Sequence, residues 1–203
     1  MHDEVLEKAT RDFLLSIKDS NLPEGTYLAG RTAVALQIGH RRSADLDFFT
    51  PEGFMESQWE QKLADELGLH LVKKDWQTII GHAKGVKFSL FGYKYPLIES
   101  TNDFGNIKVA SLKDLAAMKL DTIVSRGTKR DFIDLYFLGK ELSIQDMIES
   151  YQKKYGNWED RQMMIKKSLI YFEDAEKDEM PEMLIEVNWE EVKKWLLGIQ
   201  DKE

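Results

Sequence analysis

Two aspartates separated by one residue are the first feature of this sequence that could do chemistry. Asp45 and Asp47 lie in the run Asp45–Phe49, whose alternation and aromatic content predict a β-strand. Alternate side chains of a strand leave the same face, so both carboxylates would lie together while Leu46 points into the core. Carboxylate oxygens suit Mg²⁺ (or Mn²⁺), with substrate phosphates completing the coordination. A pair of solvated acids at a strand end is the alternative interpretation.

A strand-to-helix turn precedes these acids. Thr26–Ala29 predicts a short strand and Thr32–Gln37 has the composition of a helix, with Gly30 between them. Free N–H groups at a helix N-terminus bind anions, so Gly30 and Thr32 would donate to a phosphate facing the acids. In the alternative interpretation, Gly30 only ends the strand and Thr32 only caps the helix.

Basic residues fill the loop between this helix and the acidic strand. Arg41 and Arg42 could bind phosphate oxygens in bidentate fashion, although an isolated pair would also suit an ordinary surface. The four histidines show no zinc spacing, and His40 alone lies inside this loop. The loop is therefore a candidate second wall of a phosphate site.

Composition limits the class of protein. The chain has 203 residues, 42% of them hydrophobic, which supports one sizeable core or two small lobes and excludes a largely disordered chain. It has no cysteine and no apolar stretch near the roughly 20 residues that span a bilayer, which predicts a cytoplasmic protein without a membrane partner. The net charge of −8 argues against a surface that grips nucleic acid nonspecifically.

The elements that must position the acids predict an α+β fold. Besides the two strands around Gly30, further strands are predicted at Leu69–Lys73, Thr78–His82 and Val86–Phe91. Helices are predicted at Asp3–Lys18 and Met55–Leu67. These elements give a mixed sheet of about five strands packed with helices.

The second half of the sequence predicts a helical lobe. From Ser111 the chain reads as almost wholly helical, beginning with the N-cap pattern of Ser111 and Asp114. We therefore predict an α/β core lobe over residues 1–110 and a helical lobe over 111–203. The acidic stretch Glu173–Glu182 is predicted to be a surface loop.

Two blocks of this sequence resemble one family. The first runs from Gly30 to Phe49, and the second comprises Ala110–Lys119 and Arg126–Tyr136. Together they resemble the motifs of the nucleotidyltransferases associated with abortive-infection toxins (AbiEii/AbiGii type), within the DNA polymerase β-like superfamily. The resemblance covers at least residues 28–138, and the agreement of two blocks in the right order is more specific than either alone.

The resemblance implies an active nucleotide site. It makes Asp45 and Asp47 the catalytic metal ligands and Lys119 a catalytic cation on the phosphates, whereas Lys119 alone could be a surface lysine. It implies nucleotide binding by Gly30, Arg31, Thr32, His40, Arg41, Ser43, Lys119, Lys129, Asp131 and Asp134. Asp131 and Asp134 share a helical face, where they would orient a lysine or contact the nucleotide, or merely form an ion-pair ladder with Lys129 and Arg130.

The sequence departs from the superfamily pattern in two places. Arg31 stands where a small residue is usual, and Ser89 occupies the natural position of a third carboxylate that acts as general base. Lys87 would lie beside Ser89 on the same strand face, so this segment still lines the predicted site.

The resemblance implies transfer of a nucleoside monophosphate from a nucleoside triphosphate to an RNA or protein hydroxyl, by a toxin with a cognate antitoxin. The alternative is a catalytically degenerate nucleotide-binding or protein-interaction module without the third carboxylate. A monomer and a dimer fit the sequence equally well.

Overall fold

A mixed β-sheet organises the chain in the computed structural model, which describes residues 1–156 and 158–200. Its seven strands are β1 (Tyr27–Ala29), β2 (Leu46–Thr50), β3 (His70–Asp75), β4 (Thr78–Ala83), β5 (Val86–Gly92), β6 (Asn102–Phe104) and β7 (Ile107–Val109). They lie in the order β3-β4-β5-β2-β1-β7-β6. The pairs β2–β5 and β1–β7 are parallel, and the other neighbours are antiparallel.

Helices cover the sheet and form most of the second half of the chain. They are α1 (Lys8–Ser16), α2 (Gly30–Ile38), α3 (Glu56–Leu67), α4 (Leu112–Ser125), α5 (Lys129–Glu141), α6 (Ile144–Tyr155), α7 (Trp158–Leu169), α8 (Glu173–Glu176) and α9 (Trp189–Gln200). Helix α3 packs on β3 and β4, while α4 packs on α2, α5, α6 and α7. None of the helices in the described ranges combines the length and apolar content that spanning a bilayer requires.

Side-chain alternation along β2 decides which face of the sheet is core. Leu46, Phe48 and Thr50 are buried, and the Phe48 ring packs 5.2 Å from that of Phe88 on β5. The intervening Asp47 and Phe49 point to the opposite face and keep partial exposure. Strand β2 is therefore central in the sheet while its acidic side remains accessible.

The structure confirms the predicted α+β class, with a mixed sheet followed by helices. Ser111 caps α4 by accepting a hydrogen bond from the backbone N–H of Asp114, as its sequence pattern predicts. The predicted five strands are too few, because β6 and β7 form an additional hairpin of three residues a strand. The three residues of each strand carry too little alternation to be recognised alone. The equally short β1 is predicted because Gly30 and a helix follow it.

Two segments differ from their predictions. The single helix predicted over Asp3–Lys18 is divided into a 3-10 turn (Asp3–Val5) and α1, because Glu7 is extended. This break lets the adjacent Val5 and Leu6 both be buried. The acidic stretch Glu173–Glu182 is not simply a surface loop, since it contains α8 and the fully buried Ala175.

Candidate active site

The two aspartates lie at the start of the central strand β2. Asp47 pairs with Ala29 of β1 on one side and with Ser89 of β5 on the other. Burial raises the pKa of Asp47, a hydrogen bond from Ser89 offsets part of this effect, and the charge of Asp45 raises it further. A bound cation would relieve the repulsion between the two carboxylates.

Gly30 brings the N-terminus of α2 directly against Asp47. Its φ of +67° lies in the left-handed region, and a Cβ atom at this position would lie 2.9 Å from Asp47 Oδ2. Glycine is therefore required twice, once for the backbone conformation and once for the close approach. The unpaired N–H groups of the first turn of α2 consequently adjoin the carboxylate pair.

The effect of this approach can be measured with two glycine variants. Gly30→Ala and Gly68→Ala both place a Cβ at positive φ, but nothing lies within 4 Å of the Gly68 position. Each variant is expected to lose about 1–2 kcal/mol of unfolding free energy in urea denaturation. Gly30→Ala alone should also weaken Mn²⁺ binding, because its methyl group displaces Asp47. Equal Mn²⁺ affinity in the two variants would contradict this role of Gly30.

Thr32 and Ser43 fix the loop that leads into the acids. The Thr32 hydroxyl is 2.8 Å from the Ser43 hydroxyl and also hydrogen-bonds to the main-chain oxygen of Asp45. Thr32 is buried in this arrangement. These side chains therefore set the backbone position of Asp45.

Two partly exposed cations face the carboxylate of Asp45. Arg31 Nη2 lies 3.4 Å from Asp45 Oδ2, and Lys87 Nζ lies 3.7 Å from the same oxygen. Both distances are longer than those of strong charge-assisted hydrogen bonds. The two cations neutralise Asp45 without holding it tightly.

Lys119 occupies a different, buried environment. Its Nζ atom donates to Asp131 Oδ1 and to Asp134 Oδ2, both at 2.9 Å, and its side chain is only 5% exposed. Asp131 also accepts from the Thr128 hydroxyl at 2.6 Å. The ammonium group of Lys119 is therefore fixed between two carboxylates.

Asp134 is the centre of this buried cluster. Arg41 donates to its two oxygens from Nε at 2.7 Å and from Nη2 at 2.9 Å, and His40 Nε2 lies 2.8 Å from Oδ1. Burial opposes ionisation of Asp134, but the charges of Arg41 and Lys119 outweigh it and hold its pKa well below the ordinary value. The cluster ties the loop before β2 to both α4 and α5.

The environment of His40 in this cluster favours its neutral form. Its ring is fully buried, and burial lowers its pKa more than Asp134 raises it. The carboxylate of Asp134 only accepts, so the proton of the neutral ring lies on Nε2. The Nδ1 atom has no hydrogen-bond partner within the described residues.

A cleft of about 320 Å³ opens over the acids. Its polar wall contains Gly30, Arg31, Asp47, Lys87, Ser89 and Lys119. Its remaining lining is Phe49, Ile80, Phe91, Leu115, Met118, Thr122 and Arg126. Charged and polar groups suited to phosphate and an apolar surface therefore share one cavity.

Comparison with known proteins decides the family. A family model described as the nucleotidyl transferase AbiEii toxin of a type IV toxin-antitoxin system matches residues 95–201, just over half of the chain. The chain belongs to the AbiEii nucleotidyltransferase family. It is accordingly a nucleotidyltransferase, and membership implies a nucleotide substrate and an antitoxin partner.

One relative is similar in sequence over nearly the whole chain, and two solved structures are similar in fold. An uncharacterized protein of Aquifex aeolicus (strain VF5) is 38% identical over 197 residues, which cover 94% of this chain and 93% of that protein. The fold is similar to that of MenT4, a nucleotidyltransferase toxin of Mycobacterium tuberculosis H37Rv, with a TM-score of 0.61 and 15% sequence identity. The similarity covers 95% of this chain and 82% of MenT4. The fold is also similar to that of JHP933 of Helicobacter pylori, with a TM-score of 0.50 and 16% sequence identity. This similarity covers 98% of this chain and 89% of JHP933.

The structure brings only some of the predicted site residues of this AbiEii-family chain into the cleft. Gly30, Arg31, Asp47 and Lys119 line it, and Asp45 lies beside it through its contacts with Arg31 and Lys87. The remaining predicted residues do not line this cleft, namely Thr32, His40, Arg41, Ser43, Asp131 and Asp134, together with Lys129. Their observed contacts are to other protein groups. Arg41 and Ser43 instead line a separate cavity of about 180 Å³, which Arg31 and Asp45 also line.

Lys129, which was predicted to bind the nucleotide, contacts other protein groups. Its ammonium group hydrogen-bonds to the main-chain oxygen of Asp178 and lies 5.4 Å from the centroid of the Trp189 ring. It therefore joins α5 to the acidic segment and to α9. The bidentate contact predicted between Arg41 and a phosphate is likewise taken by Asp134 in this structure.

Several cleft residues were absent from the sequence prediction. Phe49 and Phe91 follow Asp47 and Ser89 by two positions on their strands, so alternation alone would have placed them on the same face. Leu115, Thr122 and Lys119 share one face of α4, where helical spacing would have found them. Arg126 follows the end of α4 and had no comparable signal.

The donor set of the site suits a divalent cation that takes few protein ligands. No group of three or more His, Cys, Asp or Glu side chains with metal-binding geometry occurs among residues 1–156 and 158–200. Asp45 and Asp47 offer a pair of carboxylates beside the N-terminal turn of α2, and Mg²⁺ is commonly held by one or two carboxylates with waters and substrate phosphates. The residues present therefore fit Mg²⁺ or Mn²⁺.

Proposed function

We propose that this AbiEii-family protein transfers a nucleoside monophosphate from a nucleoside triphosphate to a hydroxyl group of an RNA or a protein in the cytoplasm. The hydroxyl oxygen would attack the α-phosphate, the bond between the α- and β-phosphates would break, and pyrophosphate would leave. The observation that carries the proposal is the arrangement of Asp47, the glycine turn at Gly30 and Lys119 around one cleft. Asp45 and Asp47 would hold Mg²⁺ or Mn²⁺. The metal would neutralise part of the triphosphate charge and lower the pKa of the attacking hydroxyl.

The phosphates would lie against the first turn of α2. Gly30 lines the cleft, so the free backbone N–H groups of this turn would be available to the phosphates, and the guanidinium group of Arg31 adds a positive charge beside them. Lys119 faces the same space from α4. Because Asp131 and Asp134 fix its ammonium group, Lys119 contributes a preorganised charge and needs no reorganisation on binding.

The cleft lies between the two proposed lobes. Residues 1–110 supply the acids and the glycine turn, while residues 111–203 supply Lys119 and the apolar side chains Leu115 and Met118. These side chains, with Phe49 and Phe91, provide a surface suited to the nucleobase. The proton of the attacking hydroxyl would pass to solvent or substrate, since Ser89 is not a base near neutral pH.

Labelled nucleotides test the transfer directly. Each of the four nucleoside triphosphates, labelled at the α- or the γ-phosphate, would be incubated with Mg²⁺, the protein, and either total RNA or a protein extract. Label from the α-phosphate alone should become acid-insoluble with at least one nucleotide. Acid-insoluble label from the γ-phosphate would instead show phosphoryl transfer and would exclude this proposal.

A binding-only module is the second candidate function, and Ser89 opposite Asp47 is the observation that favours it. Calorimetric titration of each Mg²⁺–triphosphate, read together with the labelling experiment, separates the two candidate functions. Saturable binding without incorporation of any label would favour the binding module. Absence of binding by the folded protein would exclude both.

A further inference from the structure

The cations around the cleft fall into two groups. Lys119 is almost fully buried and makes two short ion pairs with fixed carboxylates. Lys87 has a side chain that is 44% exposed, and its nearest acidic atom is Asp45 Oδ2 at 3.7 Å. This distance exceeds that of a hydrogen bond. Lys119 is therefore immobilised by its partners, whereas Lys87 retains freedom to move.

The position of Lys87 follows from the register of the sheet. It stands two residues before Ser89 on β5, and Ser89 pairs with Asp47. The side chains of Lys87 and Ser89 consequently leave the same face as the carboxylates. Lys87 lines the cleft itself and makes no side-chain hydrogen bond within the part of the chain that the structure describes.

Lys87 and a divalent cation compete for the same carboxylate. The ammonium group of Lys87 and the guanidinium group of Arg31 both approach Asp45 Oδ2, from β5 and from α2 respectively. A metal ion bound to Asp45 would repel both of them at this distance. The triphosphate that accompanies the metal supplies the negative oxygens to which a displaced ammonium group can bind.

We propose that Lys87 is the counter-ion of Asp45 in the metal-free protein and becomes a phosphate-binding residue when a metal-bound nucleotide enters the cleft. This inference rests on the proposed function, because it requires Asp45 to be a metal ligand. It assigns Lys87 two opposite effects. It hinders binding of the metal alone and favours binding of the metal with its phosphates.

The test measures these two effects separately with Mn²⁺ and inorganic tripolyphosphate, which needs no knowledge of the preferred base. Free Mn²⁺ would be followed by electron paramagnetic resonance with the unmodified protein, Lys87→Gln and Lys87→Arg. Lys108→Gln is the matched control, because Lys108 is a half-exposed strand lysine that pairs with Asp103 and does not line the cleft.

Lys87→Gln is expected to bind Mn²⁺ alone at least as tightly as the unmodified protein, and Mn²⁺–tripolyphosphate about tenfold more weakly. Lys87→Arg should restore most of the affinity for Mn²⁺–tripolyphosphate. Lys108→Gln should change neither the affinity for Mn²⁺ alone nor that for Mn²⁺–tripolyphosphate. If Lys87→Gln lost equal affinity for Mn²⁺ alone and for Mn²⁺–tripolyphosphate, the inference would be overturned, since Lys87 would then only support Asp45. Unchanged tripolyphosphate binding in Lys87→Gln would overturn it as well. Failure of the unmodified protein to bind Mn²⁺–tripolyphosphate would instead overturn the proposed function, and the inference with it.

Discussion

Replacing Asp47 with asparagine is expected to lower the rate of nucleotide transfer by on the order of 10³-fold, because the metal and its several kcal/mol of charge stabilisation lose a ligand. The same variant should unfold at a urea concentration no lower than that of the unmodified protein. Burial, and then the charge of Asp45, raises the pKa of Asp47, and a neutral amide removes both the cost of burying the charge and the repulsion. Activity and stability would thus move in opposite directions.

The two measurements are transfer of α-labelled phosphate under saturating nucleotide and urea unfolding without metal. Asp103→Asn serves as the control, because Asp103 is an exposed acid paired with Lys108 at the surface. It should leave both quantities nearly unchanged. If Asp47→Asn retained more than about a tenth of the activity, Asp47 would not be an essential metal ligand.

Asp134→Asn is expected to have the largest effect on stability. The substitution leaves the charges of Arg41 and Lys119 buried with one carboxylate, Asp131, in place of two. Removing one partner of a buried ionic cluster costs about 3–5 kcal/mol of unfolding free energy. This loss is a large part of the stability of a typical domain. Urea denaturation at pH 7 measures it, and Asp103→Asn should cost no more than about 0.5 kcal/mol.

The pH dependence provides a second test of the same cluster. The folded-state pKa of Asp134 is held well below its ordinary value, and the unfolded value is about 4. Its contribution to stability is therefore fully present above about pH 4 and is lost as pH falls through the folded pKa. The stability difference between the unmodified protein and Asp134→Asn should narrow only below about pH 4. A difference that disappears already near pH 6 would contradict ionisation of Asp134 by Arg41 and Lys119.

The sequence predicts the parts of the site that depend on local pattern. The separation of Asp45 and Asp47 and the turn at Gly30 are set by neighbouring residues, and the structure brings them together. The contact of Arg41 with Asp134 joins residues 93 positions apart, and no period or propensity encodes it. For the same reason, the sequence suggested phosphate as the partner of Arg41, and the family resemblance implied nucleotide binding by Lys129, whereas each has a protein acceptor in the structure.

The buried cluster also has a consequence for the order in which the protein is made. The chain leaves the ribosome from its N-terminus, so the glycine turn and both acids emerge well before Asp134. Until α5 has emerged, neither Lys119 nor Arg41 has the carboxylate that fixes it. The cleft of a nascent chain is therefore incomplete through most of its synthesis. The cluster that fixes Lys119 and Arg41 is thus completed only late in translation, after α5 has emerged.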